Sequence, residues 1–262
     1  MTKFVALLSG KGGVGKTTAT LNLGVALKYY GRDVAIVDAN ITMPNIALHL
    51  GSTNLPVYFN HVLKNQKNIL ESIYRHPSGV KVIPASINYQ DVEGSSLKNL
   101  KAKLSDLNNN TEITLIDCPP GIGKDVLHVL KAVDQAIVVA NPDIVSVTDA
   151  LRTVHFAEEN GVTVLGVLLN KVRGDAHEMS VDNIESIIEK PVLAQIKHDD
   201  KVREAINAKH PVVFAFPDSK ASSNFKELAA KLIGTVYVEP IEEKEEVQPT
   251  FFEKMLSMLG LK

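Results

Sequence analysis

The chain has 262 residues, of which 45% are hydrophobic and 22% are charged. This apolar content supports a large core and excludes a disordered or collagen-like chain. Lysine and arginine number 28 against 30 acidic residues, and the net charge of −2 disfavours a globally basic nucleic-acid binder. The single cysteine, Cys118, excludes an intrachain disulfide and any metal site built only from the cysteines of one chain.

Strand-like and helix-like segments alternate along the sequence. Short runs rich in valine, isoleucine and leucine predict buried parallel strands at residues 4–9, 34–37, 80–84, 113–116, 136–140, 164–169 and 192–196. Apolar residues at helical spacing predict helices at residues 17–30, 95–107, 123–131, 145–159, 179–189, 201–208 and 222–234. This alternation predicts a doubly wound α/β fold, with a mostly parallel sheet and helices on both faces. Ligands of such sheets bind at the carboxyl ends of the strands.

Three regions differ in composition. Residues 1–238 contain all the predicted strands, residues 239–248 form an acidic linker with five glutamates, and residues 249–262 are apolar again. No apolar run reaches the 18 or more residues of a membrane span, and the first residues lack the cleavage site of a signal peptide. We therefore expect a cytoplasmic protein made of one domain, a linker and a short C-terminal helix.

Residues 10–17 match the phosphate-binding pattern G-x-x-x-x-G-K-[ST]. The motif follows a predicted strand and opens a predicted helix, which is the context in which it binds nucleotide. Glycines let backbone N–H groups surround phosphate oxygens, and the helix N-terminus adds partial positive charge. We expect Lys16 to neutralise the β and γ phosphates of ATP and the Thr17 hydroxyl to bind Mg²⁺. The predicted nucleotide-binding residues of this loop are Gly10, Lys11, Gly12, Gly13, Val14, Gly15, Lys16, Thr17 and Thr18.

A second lysine, Lys11, lies early in the same loop. The string Ser-Gly-Lys-Gly-Gly-Val-Gly-Lys-Thr-Thr at residues 9–18 resembles the deviant Walker A loop of the MinD/ParA family of P-loop ATPases. The resemblance covers nearly the whole predicted domain and is greatest for the archaeal-type MinD branch, because residues 41–45 and the C-terminal segment match it. In that family the early lysine reaches the nucleotide of a second subunit, like an arginine finger supplied in trans. The resemblance implies an ATP-dependent homodimer, and a solvated lysine without a role is the alternative.

The resemblance assigns roles at other strand ends. Asp38 and Asn40 lie in a segment that resembles the first switch of the family, and Asp117 lies in one that resembles Walker B and the second switch. Catalytic roles for Lys11, Lys16, Asp38, Asn40 and Asp117 are therefore implied, as is Mg²⁺ binding by Thr17, Asp38 and Asp117.

Three further segments match the family. Asn170 resembles the residue that reads the adenine edge, and Arg173 is expected to pack on the base. Residues 198–202 and 211–214 resemble the last loop on the nucleotide side. Residues 141–149 resemble the start of the family's regulator-binding helix, which implies an unidentified regulator or cargo protein as a partner. In that segment Ser146 or Thr148 is also a candidate N-cap.

Asn40 departs from the family, which usually has a second aspartate at this position. That carboxylate orients the attacking water, whereas an asparagine can hold a water through its carbonyl oxygen but cannot accept a proton. Because phosphoryl transfer depends more on positioning and charge than on a strong base, we expect slowed hydrolysis, by about 10²-fold. The alternative is that Asp38 or another group already performs this task.

The C-terminal segment is amphipathic at helical spacing. One arc of the helical wheel collects the bulky apolar residues Phe251, Phe252, Met255, Leu256, Met258 and Leu259. The segment resembles the membrane-targeting helix of MinD proteins, which implies binding to the inner face of the cytoplasmic membrane. Two such tails on one dimer would bind as a bivalent unit. The alternative is that the helix docks on a partner or on the protein's own body.

These features predict a MinD-like ATPase that positions cell-division or other cellular machinery. One alternative is a ParA-like DNA-partitioning ATPase, although no specific nucleic-acid partner is expected without a basic surface. Another is an ATP-dependent binding scaffold with negligible turnover, suggested by Asn40.

Overall fold

The computed structural model describes residues 2–237. Eight strands form one sheet. They are β1 (Lys3–Leu8), β2 (Val34–Asp38), β3 (Tyr74–Arg75), β4 (Lys81–Ile83), β5 (Ile113–Asp117), β6 (Gln135–Ala140), β7 (Thr163–Val172) and β8 (Val192–Lys197). Their order across the sheet is β3-β4-β2-β5-β1-β6-β7-β8, and β3 is antiparallel to β4 while the other neighbouring pairs are parallel.

Helices connect the strands and cover both faces of the sheet. The α-helices are α1 (Lys16–Tyr29), α2 (Ile46–His49), α3 (Phe59–Leu63), α4 (Tyr89–Val92), α5 (Leu100–Leu104), α6 (Lys124–Leu130), α7 (Ile144–Glu159), α8 (Val181–Ile188), α9 (Asp200–Asn207), α10 (Val212–Ala215) and α11 (Lys220–Ile233). Short 3₁₀ segments occur at Ile69–Ser72, Leu97–Asn99 and Ser105–Leu107.

Two hydrophobic layers sandwich the sheet, because successive side chains of a strand point to opposite faces. In β1, Ala6 and Leu8 face the layer of α3, α5, α6, α7 and α8, whereas Val5 and Leu7 face the layer of α1 and α11. Burial of the strands on both sides explains why they are nearly continuous apolar runs. The doubly wound, mostly parallel fold predicted from the sequence is thereby confirmed.

Several elements differ from the sequence prediction, which did not include the short helices α2, α3, α4 and α10. The strand β3 was missed, because its two residues contain no apolar run. The single helix predicted for residues 95–107 was wrong, since this segment consists of α5 between two 3₁₀ turns. Asn99 breaks the helical path with φ −109° and ψ 26°.

The cap of α7 also differs from the prediction. Neither Ser146 nor Thr148 caps this helix, which begins at Ile144 behind Asp143. The Asp143 carboxylate accepts the backbone N–H of Ser146 at 2.8 Å, while the Thr148 hydroxyl donates to the Ile144 carbonyl.

The C-terminal predictions concern residues outside those described. The linker at 239–248 and the amphipathic helix at 249–262 both lie beyond residue 237. Among residues 2–237, no helix combines the length and the hydropathy needed to cross a bilayer.

Candidate nucleotide-binding site

The phosphate-binding loop joins β1 to α1 at the carboxyl edge of the sheet. Gly13 and Gly15 have φ angles of 82° and 95°, in the left-handed region that favours glycine. At Gly15 a Cβ atom would also lie 2.2 Å from the side-chain nitrogen of Asn170. At Gly12, by contrast, a Cβ would meet nothing within 4 Å. The loop is therefore packed at its end and open along its middle, as a cradle for phosphate requires.

One buried carboxylate connects the functional residues of the loop. Lys16 Nζ donates to Asp117 Oδ1 at 2.7 Å, and the Thr17 hydroxyl donates to Asp117 Oδ2 at 2.6 Å. Lys16 is 7% exposed and Asp117 is fully buried. In the sheet register Asp117 pairs with Leu7 of β1 and with Asp38 of β2, which explains how residues distant in the sequence meet.

Asp38 organises the segment that follows β2. Its carboxylate accepts the backbone N–H groups of Asn40 (3.1 Å), Asn45 (3.2 Å) and Ile46 (3.1 Å). Burial, and next the charge of Asp117, raise the pKa of Asp38 above the ordinary value for a carboxyl group. The role visible here is structural, because Asp38 ties the 39–46 segment to the end of β2.

Asn40 is fixed by its side-chain amide. Its Nδ2 donates to the Met43 carbonyl at 2.8 Å, and Asn45 Nδ2 donates to the same oxygen at 3.0 Å. Because the amide nitrogen faces a carbonyl, the Asn40 side-chain oxygen is left as its acceptor group. An aspartate at position 40 could not make this hydrogen bond, since both partners would be acceptors.

The end of β7 forms the opposite wall. Asn170 Nδ2 donates to the Val14 carbonyl at 2.8 Å, and Lys171 Nζ donates to the Gly13 carbonyl at 2.7 Å. Lys171 has a φ of 60°, an uncommon conformation for a lysine. The β7 terminus and the phosphate loop are therefore joined by two direct contacts.

The start of α7 contacts the loop from the other side. Lys11 Nζ lies 3.5 Å from Asp143 Oδ1, and both side chains are at least one-third exposed. At Gly10, a Cβ would lie 2.5 Å from Cβ of Asp149 in α7. Only a glycine lets the loop and this helix approach so closely.

These contacts surround a cavity of about 810 Å³. A pocket of this size, lined by a glycine-rich loop at a helix N-terminus, suits a nucleotide. A family model described as ParA, NUBPL iron-transfer P-loop NTPase, matches residues 1–233. The chain belongs to the ParA family.

Curated relatives and solved structures agree with this ParA assignment. An uncharacterized ATP-binding protein of Methanocaldococcus jannaschii is 39% identical over 255 residues, which cover 97% of this chain and 96% of the relative. The cell division ATPase MinD of Pyrococcus furiosus superposes with a TM-score of 0.85 at 32% identity, covering 89% of this chain and 99% of that one. MinD of Pyrococcus horikoshii in complex with Mg-ADP gives a TM-score of 0.84 at 30% identity, covering 88% and 96%. Among ParA-family proteins, this chain is therefore similar to archaeal MinD.

Most of the site residues predicted from the sequence lie on the large cavity. Its lining includes Lys11, Gly12, Gly13, Val14, Gly15, Lys16, Thr17, Thr18, Asn40, Asn170 and Arg173. Gly10, Asp38 and Asp117 lie outside the lining: Gly10 packs on α7, and the two aspartates are buried behind Lys16 and the 39–46 segment. Residues 198–200 and Val202 reach the cavity, whereas residues 211–214 do not, and Val213 N–H donates instead to Asn22 of α1.

The structure adds lining residues to which the sequence analysis assigned no role. Lys171, Lys197 and Arg203 bring cationic side chains to the cavity, and Met43 and Ile206 bring apolar ones. The left-handed backbone at Lys171 leaves no signal in the sequence pattern. Cys118, next to Asp117, is fully buried, and burial raises the pKa of its thiol, as expected for a small core residue.

Proposed function

We propose that this ParA-family chain is a MinD-like ATPase that pairs around two ATP molecules and uses its C-terminal segment to bind the membrane reversibly. In this proposal the dimer positions cell-division or other cellular machinery through a protein partner. The observation that carries the proposal is that the Asp117 carboxylate accepts hydrogen bonds from both Lys16 and Thr17, which line the large cavity.

The residues of the cavity fit ATP and Mg²⁺. Backbone N–H groups of the open glycine turn and the Lys16 ammonium suit the phosphates, and the Thr17 hydroxyl with the Asp117 carboxylate offers the oxygen ligands that Mg²⁺ prefers. The bound cation would neutralise charge on the β and γ phosphates. In this chain, Asp117 would keep Lys16 and Thr17 oriented, and Asn170 would face the base.

Exposed apolar side chains around the loop support a dimer. Met43, Ile122, Ile144 and Val145 are each more than half exposed, with fractions of 72%, 51%, 59% and 59%. Met43 lines the cavity, Ile144 and Val145 follow the Asp143 partner of Lys11, and Ile122 follows Gly121, which donates to the Ser9 carbonyl. These exposed apolar groups lie at the same edge as the partly exposed Lys11, and together they suit contact with a second copy and its nucleotide.

The tail supplies membrane binding in this proposal, and Asn40 slows hydrolysis. A slow reaction would lengthen the life of the ATP-bound dimer. Two tails on that dimer would bind bilayers far more tightly than one, because the second binds at millimolar effective concentration. Nucleotide state would then control membrane residence.

The test is vesicle sedimentation of the full chain with Mg·ADP, Mg·ATP or a non-hydrolysable analogue, combined with sedimentation velocity. We expect dimers and pelleting only with the triphosphates. Lys11→Ala should abolish both, whereas Lys101→Ala, which removes an exposed lysine of α5, should change neither. A chain ending at Glu246 should dimerise but not pellet.

Other results would reject parts of the proposal. A strict monomer in saturating Mg·ATP rules out the dimer, and equal pelleting in all nucleotides rules out the switch. ATP-dependent, salt-sensitive binding to DNA in place of vesicles would favour the DNA-partitioning alternative. Normal pelleting without phosphate release would favour the scaffold.

A further inference from the structure

A second cavity lies at the amino edge of the sheet, opposite the phosphate-binding loop. It has a volume of about 310 Å³ and its walls come from β1, β5, β6, β7, α1 and α11. Val5, Leu27 and Leu165 form part of its apolar interior, and Leu232 and Ile233 of α11 border it. Its polar lining residues are Lys3, Arg32, Glu112 and Gln135, and the first three, each more than one-third exposed, mark its mouth. We call this space the basal cavity.

The chemistry of the basal cavity favours an apolar occupant. Protein interiors are close-packed, and apolar cavities lined by leucine and isoleucine exclude water and bind apolar groups. A volume near 310 Å³ is at the lower limit for a small-molecule pocket. Because most of its lining residues are apolar, the cavity suits one or two large apolar side chains better than a polar metabolite.

The last helix of the described chain ends at this cavity. The last two residues of α11, Leu232 and Ile233, border it, and Gly234 turns the chain with a φ of 71°. Tyr237 then approaches Tyr30 at the end of α1: burial, and next the Tyr237 phenol, raise the pKa of Tyr30. The Tyr237 hydroxyl is buried and makes no hydrogen bond within the described residues. The last described residues of the chain, 234–237, therefore follow directly on two residues that line the basal cavity.

Charge at the amino edge complements the linker. Residues 239–246 carry five glutamates and one lysine. At the edge, Asp33 pairs with Lys81 at 2.8 Å and Glu112 pairs with Arg32 at 2.7 Å, and a further acid, Asp134, accepts the backbone N–H of Phe4.

The basic side chains named at this edge outnumber the acidic ones, even with Asp134 counted among the acids. Lys3 makes no ion pair with any residue between 2 and 237, and Lys28 and Lys231 add positive charge in the last turns of α1 and α11. An acidic segment that crosses this edge is therefore attracted to it.

The linker is long enough for the tail to return. Phe251 follows Gly234 by 17 residues, a length that spans about 22 Å with random-coil dimensions and about 55 Å when fully extended. Two adjacent phenyl rings, Phe251 and Phe252, begin the apolar arc of the tail.

We propose that the basal cavity receives the side chains of Phe251 and Phe252, while the acidic linker lies against the basic mouth. The tail is then held on its own body in the free protomer. Its apolar face binds either the cavity or a lipid surface, so docking lowers the membrane affinity of the protomer in proportion to the docked fraction. This regulatory consequence rests on the proposed membrane function, whereas the docking itself does not.

The docking is tested on the full chain without vesicles, with the photo-crosslinker p-benzoylphenylalanine at position 252. We expect cross-links to peptides that contain the start of β1 or the start of β7, both far away in the sequence. Leu165→Phe adds a larger side chain that fills the cavity and should lower the cross-link yield about fivefold or more. This factor corresponds to the smallest free-energy cost that is typical of overpacking. Leu55→Phe, which lines a different cavity of about 220 Å³, should leave the yield unchanged.

A surface variant keeps the test independent of core packing. Lys3→Glu alters only the mouth of the cavity, and we expect it to reduce the cross-link yield less than Leu165→Phe but measurably. Cross-links confined to residues 234–262, or equal yields in native and filled proteins, would overturn the docking. Cross-links between isotopically distinct copies would also overturn it, since the tail would then belong to a second chain.

Vesicle binding separates this inference from the proposed function. With Mg·ADP, Leu165→Phe should pellet with vesicles more than the native chain does, because its tail is released. If neither protein pellets even with Mg·ATP while the cross-links appear, the membrane function fails and the docking stands. If pelleting depends on ATP but the cross-links are absent, the docking alone fails.

Discussion

The two edges of the sheet carry cavities of opposite character. At the carboxyl edge, about 810 Å³ is enclosed by a short glycine-rich loop and by strand ends that bear polar side chains. At the amino edge, about 310 Å³ is enclosed by apolar side chains from six elements spread between Lys3 and Ile233. The first cavity suits a charged ligand that the backbone groups of one loop can bind, and the second suits an apolar ligand. A site built from one continuous loop is visible as a sequence motif, whereas a cavity built from residues far apart in the sequence gives no motif.

The largest expected effect lies at the carboxyl edge, at two glycines of the loop. Gly15→Ala places a Cβ against Asn170 at a positive φ, so we expect a loss of about 3 kcal/mol or more in unfolding free energy and loss of ATP binding. Gly12→Ala meets no atom within 4 Å and should stay within about 0.5 kcal/mol of the native stability. Chemical denaturation and nucleotide titration measure both. Equal behaviour of the two variants would show that the loop is not packed as described.

A matched pair of leucines separates stability from ligand binding. Leu27, which lines the basal cavity, and Leu8, at the end of β1, are both buried. Truncation of either to alanine should cost about 3 kcal/mol of unfolding free energy. Only Leu8→Ala should weaken ATP binding, because β1 leads directly into the phosphate-binding loop. A similar loss of ATP affinity in Leu27→Ala would break the separation of the two edges.

Asn40→Asp replaces a side-chain amide at the carboxyl edge by a carboxylate of the same shape. We expect single-turnover hydrolysis to accelerate by up to about 10²-fold, equivalent to about 2.7 kcal/mol of barrier, because a carboxylate can orient and deprotonate water. The variant also loses the hydrogen bond to Met43. Asn45→Asp is the control, because it loses a bond to the same carbonyl and should not speed turnover. Unchanged kinetics in Asn40→Asp would show that Asn40 is not the brake.

The smallest expected effect is a pH dependence at the amino edge. In the turn before β4, His76 Nδ1 accepts the Ser78 backbone N–H at 3.1 Å, and Nε2 faces His210 Nδ1 at 3.2 Å. Burial, and next His210, lower the pKa of His76 to about 4. Since the unfolded chain takes up this proton near pH 6.5, the unfolding free energy should fall as the pH drops from about 6.5 to 4.

Solvent screening at this half-buried histidine limits the loss to about 1 kcal/mol. Denaturant unfolding at several pH values measures this loss. In His76→Gln the unfolding free energy should vary less between pH 6.5 and pH 4 than it does in the native chain. A native profile that coincides with that of His76→Gln would exclude the contribution.

Particular residues show what the sequence could predict. The parallel strands were predictable because burial on both faces makes them apolar runs, and Lys16 and Thr17 were predictable from one motif. The family resemblance pointed to Asp117, but the bonds that join it to both residues depend on sheet register. The three backbone N–H groups held by Asp38, the contact of Lys171 with Gly13 and the basal cavity all arise from tertiary packing. No local pattern encodes them.

The close approach at Gly10 has a mechanical consequence. Because a Cβ at Gly10 would lie 2.5 Å from Cβ of Asp149, a shift of the phosphate-binding loop toward α7 would displace this helix. A displacement of α7 at its exposed first turn, Ile144 and Val145, would in the same way move the phosphate-binding loop. A protein bound to this first turn would therefore alter the position of the loop that is expected to hold the phosphates.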